Sequence, residues 1–421
     1  MASGADRLSP LPDELLHHVL SFLPAHEVVS TSLIAHRWRD LWKSAPALRV
    51  TGVKDCNNAG WFTQYIDNLL LHRHPGARLD SFELDLDERD FGFKAFLPAY
   101  DSNVNLWIRL ALLCQAREIT LRTTYGVYTE GNDDLPMKLP NVPIISQHLR
   151  RLDLELVRLD RGSLDFSGCP VLVDLKMTNC EFFGNLSSPF LKHLNITGCY
   201  IYTGSFRPRI CTPGLVSLVL SDFNSMTPQL ENMPLLVSAI VRFTEFCLDI
   251  CPRNTYGDRN DPTCSGCYDM QDGDNDRRGE STILKGLSQV TGLELSVHWR
   301  VCIVNRDLQL CPAFRKLKTL SLGEWCPDVV ADLNILTYFL QHAPILEKIT
   351  LQLSEAPEDL VKTERNYEPL EKSFACSLLI MVEIKCEEGD ARVGKVLDIL
   401  CTRGIPFEKI TIQHNNRASG P

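Results

Sequence analysis

The sequence has 421 residues, 44% hydrophobic and 23% charged, proportions that exclude wholesale disorder, a collagen-like rod and a coiled coil. Its 43 Lys and Arg against 53 Asp and Glu give a formal net charge of −10. There is no basic block of the kind a phosphate-tracking surface needs, so nucleic acid is not an expected partner. The start has no apolar leader and no long apolar run lacks charges, so no membrane is expected, and the expected location is nucleus and/or cytoplasm. Thiols stay reduced there, so the 16 cysteines read first as core thiols, metal ligands or reactive groups.

Residues 1–7 form a short N-terminal arm that is expected to be flexible. From Leu8 to Pro24 a proline opens a helical pattern, acids follow in the first turn where the helix dipole favours them, and Pro24 ends it. Leu15, Leu16, Val19, Leu20 and Leu23 recur at three- and four-residue spacing and predict an apolar stripe along this helix. A second short helix is expected over Glu27 to Leu33, and a third from Ile34 to Ser44 with Trp38 and Trp42 one turn apart beside Leu41. Forty residues cannot enclose so many large apolar side chains, which implies that another protein completes part of this surface.

Leu11-Pro12-Asp13-Glu14-Leu15-Leu16, Ser30-Thr31-Ser32-Leu33 and Arg37-Trp38-Arg39-Asp40-Leu41-Trp42 resemble the F-box, in the form that opens plant F-box proteins with leucine-rich repeats. Ala35-His36 departs from the usual Ser and basic residue before Arg-Trp-Arg. The resemblance implies docking on a Skp-type adaptor, and through it on a cullin. It assigns Leu11, Pro12, Leu15, Leu16, Val19, Leu20, Leu33, Trp38 and Leu41 to that contact or to the core behind it. A helix-in-groove interface with a few buried anchors suits such residues. A helical cap that closes a repeat array without binding an adaptor is the plainer alternative.

Beyond the F-box (residues 8–50) and a connector (51–78), a leucine-rich pattern repeats through 79–412. The clearest copies read Leu149-x-x-Leu152-x-Leu154, Leu172-x-x-Leu175-x-Met177, Leu191-x-x-Leu194-x-Ile196 and Leu215-x-x-Leu218-x-Leu220, with Cys180 and Cys199 at the position that takes Asn or Cys. Further copies begin at Leu79, Ala116, Leu236, Val290, Leu317, Leu346, Leu379 and Phe407, and helical returns are expected at Val329 to His342 and Arg392 to Cys401. No repeat buries its edge alone, so stacking must stabilise the array. The expected fold is α/β: a short three-helix F-box followed by an irregular leucine-rich repeat solenoid of horseshoe form. The segment 374–412 resembles the FBD-type ending of the same plant family, and 413–421 is a C-terminal tail.

Alternate strand residues line one sheet face. Arg151, Asp153, Glu155, Asp174, Lys176, His193, Asn195, Ser217, Ser221 and Lys348 are the candidate contacts to a target protein, and a merely solvated face is the alternative. An acidic insertion at 247–281 carries Cys247, Cys251, Cys264 and Cys267. Paired thiols can hold structural zinc, though no His joins them and reduced cysteines are the competing reading. Asp272-Gly-Asp274-Asn-Asp276 begins like a calcium loop, but Arg277 and Ile283 replace its Gly and bidentate Glu, so a solvated loop is expected.

No phosphate loop, nucleophile elbow or zinc-hydrolase helix is present, so no catalytic residue is expected. The reading that follows is a non-catalytic substrate-recognition subunit of a Skp-cullin-F-box ubiquitin ligase, with an unknown target protein. The rivals are a repeat scaffold or regulator outside any ligase, and a hydrolase or small-molecule receptor with a convergent site.

Overall fold

The computed structural model describes residues 11–51, 59–86, 97–123, 136–202, 207–231, 233–250, 281–308, 310, 313–354 and 378–414. The chain divides into two compact units, Met1–Asn195 and Ile196–Pro421. This division does not follow the border between F-box and repeats.

Unit 1 begins with helix α1 (Asp13–Leu20), set off by Pro12, whose carbonyl accepts the N–H groups of Leu15 and Leu16. Pro24 does the same for Glu27 and Val28 at the start of α2 (Ala25–Ser30). The expected third helix does not form as one. Ala35 is extended (φ −156°, ψ 158°), and two short 3-10 turns, His36–Trp38 and Leu41–Ser44, follow it. This break lets Trp38 and Leu41 turn inward beside Leu16, Leu20, Val28 and Ala45 in one buried cluster.

The same segment runs straight into a sheet. Strand β1 (Ala47–Val50) pairs in parallel with β2 (Ser81–Leu86), β2 with β3 (Glu118–Thr123), β3 with β4 (Arg151–Glu155), and β4 with β5 (Asp174–Thr178). The register aligns Leu48, Phe82, Ile119, Leu152 and Leu175 in one row, and Val50, Leu84, Leu121, Leu154 and Met177 in the next. Every one of these side chains is buried. Period-two alternation along each strand therefore becomes a continuous apolar layer, at roughly 1.5–3 kcal/mol for each large side chain removed from water. Helices α3 (Ala59–Leu71) and α4 (Leu97–Leu113) lie in this unit, joined by Phe62 edge-on to Trp107 and by the indole N–H of Trp107 donating to Asp67 Oδ1 at 2.7 Å. Strand β6 (His193–Thr197) spans the division between the units.

Past β4 and β5 the chain turns sharply into the short return strands Val157–Leu159 and Glu181–Phe183. Leu156 (φ 56°) and Asn179 (φ 50°) make those turns in the left-handed region. Asn tolerates it, and Leu does not without cost. Cys180 is fully buried just past the turn, its thiol donating to Leu154 O at 3.3 Å, so it fills the expected place beside the turn backbone.

Unit 2 repeats the parallel scheme through β7 (Ser217–Ser221), β8 (Ser238–Phe243), β9 (Gly292–Val297), β10 (Thr319–Trp325), β11 (Lys348–Leu353), β12 (Met381–Cys386) and β13 (Ile410–His414). All twelve repeats read from the sequence thus form strands. Here α5 (Leu284–Leu287) and α6 (Ile303–Leu308) are short, whereas α7 (Val330–His342) and α8 (Arg392–Thr402) match the expected helical returns. Among the described residues no helix is long and apolar enough to cross a membrane.

Candidate functional site

Helix α1 carries two apolar rows. Leu16 and Leu20, one turn apart, are fully buried, while Leu15 and Val19 are 51% and 45% exposed. Phe22 continues the outer row at 61% exposure, and Leu33 and Ile34 stand out at 88% and 68%. Five large apolar side chains therefore face solvent within twenty residues, directly over a core that holds their neighbours. Single exposed apolar residues are ordinary, but this concentration is unusual for so short a stretch of surface.

The nine residues assigned to the adaptor contact divide accordingly. Pro12, Leu15, Val19 and Leu33 are exposed. Leu16, Leu20, Trp38 and Leu41 form the core behind them, against which the half-buried Leu11 packs. Phe22 and Ile34 were not singled out from the sequence. Phe22 follows Val19 by three residues and Leu15 by seven, the spacing that puts it on their face. An ion pair between Arg37 and Asp13 at 2.6 Å, both largely exposed, links the 3-10 turn to α1. Exposed pairs of this kind are worth about 0–1 kcal/mol, so apolar burial holds the module.

The sheet face of unit 1 has a different chemistry. Arg122 lies 3.2 Å from Glu83 and 3.6 Å from Glu155, and Glu83 also meets Arg49 at 3.7 Å. Arg151 lies between Glu118 (3.3 Å) and Asp174 (3.6 Å), and Lys176 meets Asp153 at 3.7 Å. Of the candidate target contacts, Arg151, Asp153, Glu155, Asp174 and Lys176 are thus brought together on one face, where Arg151 pairs with Asp174, Lys176 with Asp153 and Glu155 with Arg122, and His193 is exposed.

In unit 2, Ser217 and Lys348 are half-buried, and Lys348 is 3.2 Å from Glu383, whose carboxylate also accepts from the Thr350 hydroxyl. Ser221 departs from expectation. It is 6% exposed and donates to Thr197 Oγ1 at 3.2 Å, so it fills the sheet and does not present a contact. Asn195, on β6, is half-buried.

Of the four candidate zinc ligands, Cys251, Cys264 and Cys267 lie outside the described residues. Cys247 is 1% exposed, between Thr227 Oγ1 at 3.8 Å and Asp249 Oδ2 at 4.0 Å. Burial, with the neighbouring Asp249 carboxylate, pushes its thiol up to about 12, so it stays protonated at neutral pH. Among the described residues no group of three or more His, Cys, Asp or Glu is placed to hold a metal ion.

Residues 8–49 match the F-box domain family. The chain is 27% identical to the MEIOTIC F-BOX protein MOF of rice, over 91% of this chain and 81% of that protein. It is 29% identical to an F-box/FBD/LRR-repeat protein of Arabidopsis thaliana, over 57% of this chain and 61% of that one. An FBD-associated F-box protein of the same plant is 31% identical over 56% and 61%. The matched region spans about three fifths of the length of these two Arabidopsis relatives.

Proposed function

This chain is a plant F-box protein of the F-box/LRR/FBD type, and from that premise we propose that it is the substrate-recognition subunit of a Skp-cullin-F-box ubiquitin ligase. In this reading Leu15, Val19, Phe22, Leu33 and Ile34 seat in an apolar groove of a Skp-type adaptor, which in turn binds the cullin. The strand-and-return units form a leucine-rich repeat solenoid that holds the target protein. The chain itself supplies no chemistry. Its contribution is proximity, because holding target and ubiquitin carrier in one assembly raises their effective concentration. Nucleus and cytoplasm are the compartments in which it would act.

The observation that carries the proposal is the division of α1 into a buried row and an exposed row. Those exposed side chains add nothing to the module's own core, and they match the few-anchor pattern by which such interfaces obtain most of their energy. Replacing Leu15 and Leu33 together by Asp in the full chain is expected to weaken co-purification with a Skp-type adaptor by about 100-fold or more, while the melting temperature stays unchanged. Adaptor binding at the unmodified level by the folded double variant would overturn the assignment.

A further inference from the structure

The longest interruption of the repeat lies between β8 and β9, yet the two strands pair without slip, from Ser238 opposite Gly292 to Phe243 opposite Val297. We propose that the short segment Val301–Asp307 is a staple that grips both ends of this insertion, so that unit 2 closes its repeat without help from residues 251–280.

The entering end is held first. Ile250 forms an isolated antiparallel bridge with Val301, and Asp249 O accepts both the N–H of Cys302 at 2.9 Å and its thiol at 3.3 Å. The Asp249 side chain is buried, 3% exposed, and takes two bonds from the Arg207 guanidinium at 2.8 and 3.0 Å and one from the Thr227 N–H at 2.6 Å. Burial alone would raise this carboxyl, but Arg207 and Thr227 outweigh it and hold it below the usual carboxylate range. Removing either member of such a pair leaves an uncompensated buried charge.

The leaving end is held by the other half of the staple. Asp307, fully buried on α6, accepts from the Ser281 hydroxyl at 2.8 Å and from the N–H groups of Thr282, Ile283 and Leu284 at 2.6–3.0 Å. These amides open α5 and have no partner within so short a helix, so one carboxylate satisfies three of them. Arg306 adds a bond to Thr282 Oγ1, and Thr282 O accepts the Leu230 N–H at 2.8 Å. Cys302 and Asp307 are five residues apart, roughly 8 Å of helical rise. Six extended residues reach about 20 Å, so a short linker can join the two gripped ends.

The competing account is that the contents of the insertion, including any metal on its cysteines, keep the repeat closed. The test compares the full chain with one in which residues 251–280 are replaced by a six-residue Gly/Ser linker, each with and without a chelator. The proposal expects the shortened chain to melt within about 2 °C of the parent and neither to respond to the chelator. Asp307→Ala should lower the melting temperature of both by roughly 5–15 °C. If that variant does not fold, slow hydrogen exchange at the Thr282, Ile283 and Leu284 amides of the shortened chain supports the staple, and exchange at the unprotected rate refutes it. Unfolding of the shortened chain, or a parent that melts early in chelator, would also overturn it.

Discussion

The F-box and the repeat sheet use the same apolar residue types to opposite effect. In the strands Leu152, Leu154, Leu175 and Met177 are at most 2% exposed, and a row residue reaches water only on the last strand, at Ile412, whereas in the F-box Leu15 and Leu33 stand in water and Leu16 and Leu20 are buried. A repeat stacks against its neighbours and can bury its whole apolar edge. A forty-residue helical module has such a neighbour only at its last turn, where it meets β1, and part of its apolar surface stays in water. Exposure of leucine is therefore informative in the first region, where it is concentrated, and in the second it falls outside the strands, as at Leu235, Leu248 and Leu378.

The sharpest way to break this comparison is to exchange the two kinds of leucine. Leu16→Ala is expected to destabilise the F-box by about 2–5 kcal/mol, as large-to-small changes in a packed core do. Adaptor binding should then fall together with helical order, read by amide exchange across α1, whereas the Leu15 and Leu33 double variant loses binding alone. If Leu16→Ala left amide exchange unchanged, the inner row would not be a core.

A smaller effect tests the interior of the repeat, which is apolar except at isolated points. Asp332, in the first turn of α7, is buried with Oδ2 accepting the Cys326 N–H at 2.8 Å. Burial, with nearby Glu324 adding to it, pushes its carboxyl up to about 8 despite that bond. The folded chain thus holds this proton more tightly than the unfolded one, so stability falls as pH rises from about 4 through 8 and is lowest above that window. Asp332→Asn keeps an acceptor for Cys326 and removes the charge. Its melting temperature should come nearest the parent's at or below pH 4 and exceed it by a growing margin up to pH 9, and the same difference at both ends would contradict the assignment.

The smallest effect belongs to the polar face. Arg122→Gln removes the cation that Glu83 and Glu155 share on the unit 1 sheet, yet these groups are 22–41% exposed, so a loss below about 1 kcal/mol is expected, shrinking further in salt. Urea midpoints at low and high salt would measure it. A loss of several kcal/mol would mean that the face is held by charge and not by the rows beneath it.

How much of this could be read beforehand follows from the range of each signal. Leu-x-x-Leu-x-Leu is local, so twelve strands and the helices at Val330–His342 and Arg392–Thr402 were legible. Strand β1 was not, because Ala47–Val50 offers a single alternation just after the tryptophans of the F-box. The expected third F-box helix failed at Ala35, where burying Trp38 and Leu41 overrode helical spacing. Leu156 carries no left-handed signature, and only the turn into Val157–Leu159 requires it. The charge pairs were hidden for a different reason: Glu83, Arg122 and Glu155 are separated by more than thirty residues at each step and meet only through strand register. The buried row of α1 could be told from the exposed one only with the 3-10 turns in place.

The junction after the F-box has a mechanical consequence. The carbonyls of Lys43, Ala45 and Pro46 accept from His74 N–H, the Arg73 guanidinium, and the N–H groups of Asp80 and Ser81, and β1 is already a rung of the sheet. At this point the module and the first strands form a single lever arm, bonded without interruption from the turn at Leu41–Ser44 through β1 to β2. A rotation of α1 is therefore coupled to β2 through these bonds. Whatever angular play an assembled complex needs to bring distant groups together must come from some other joint.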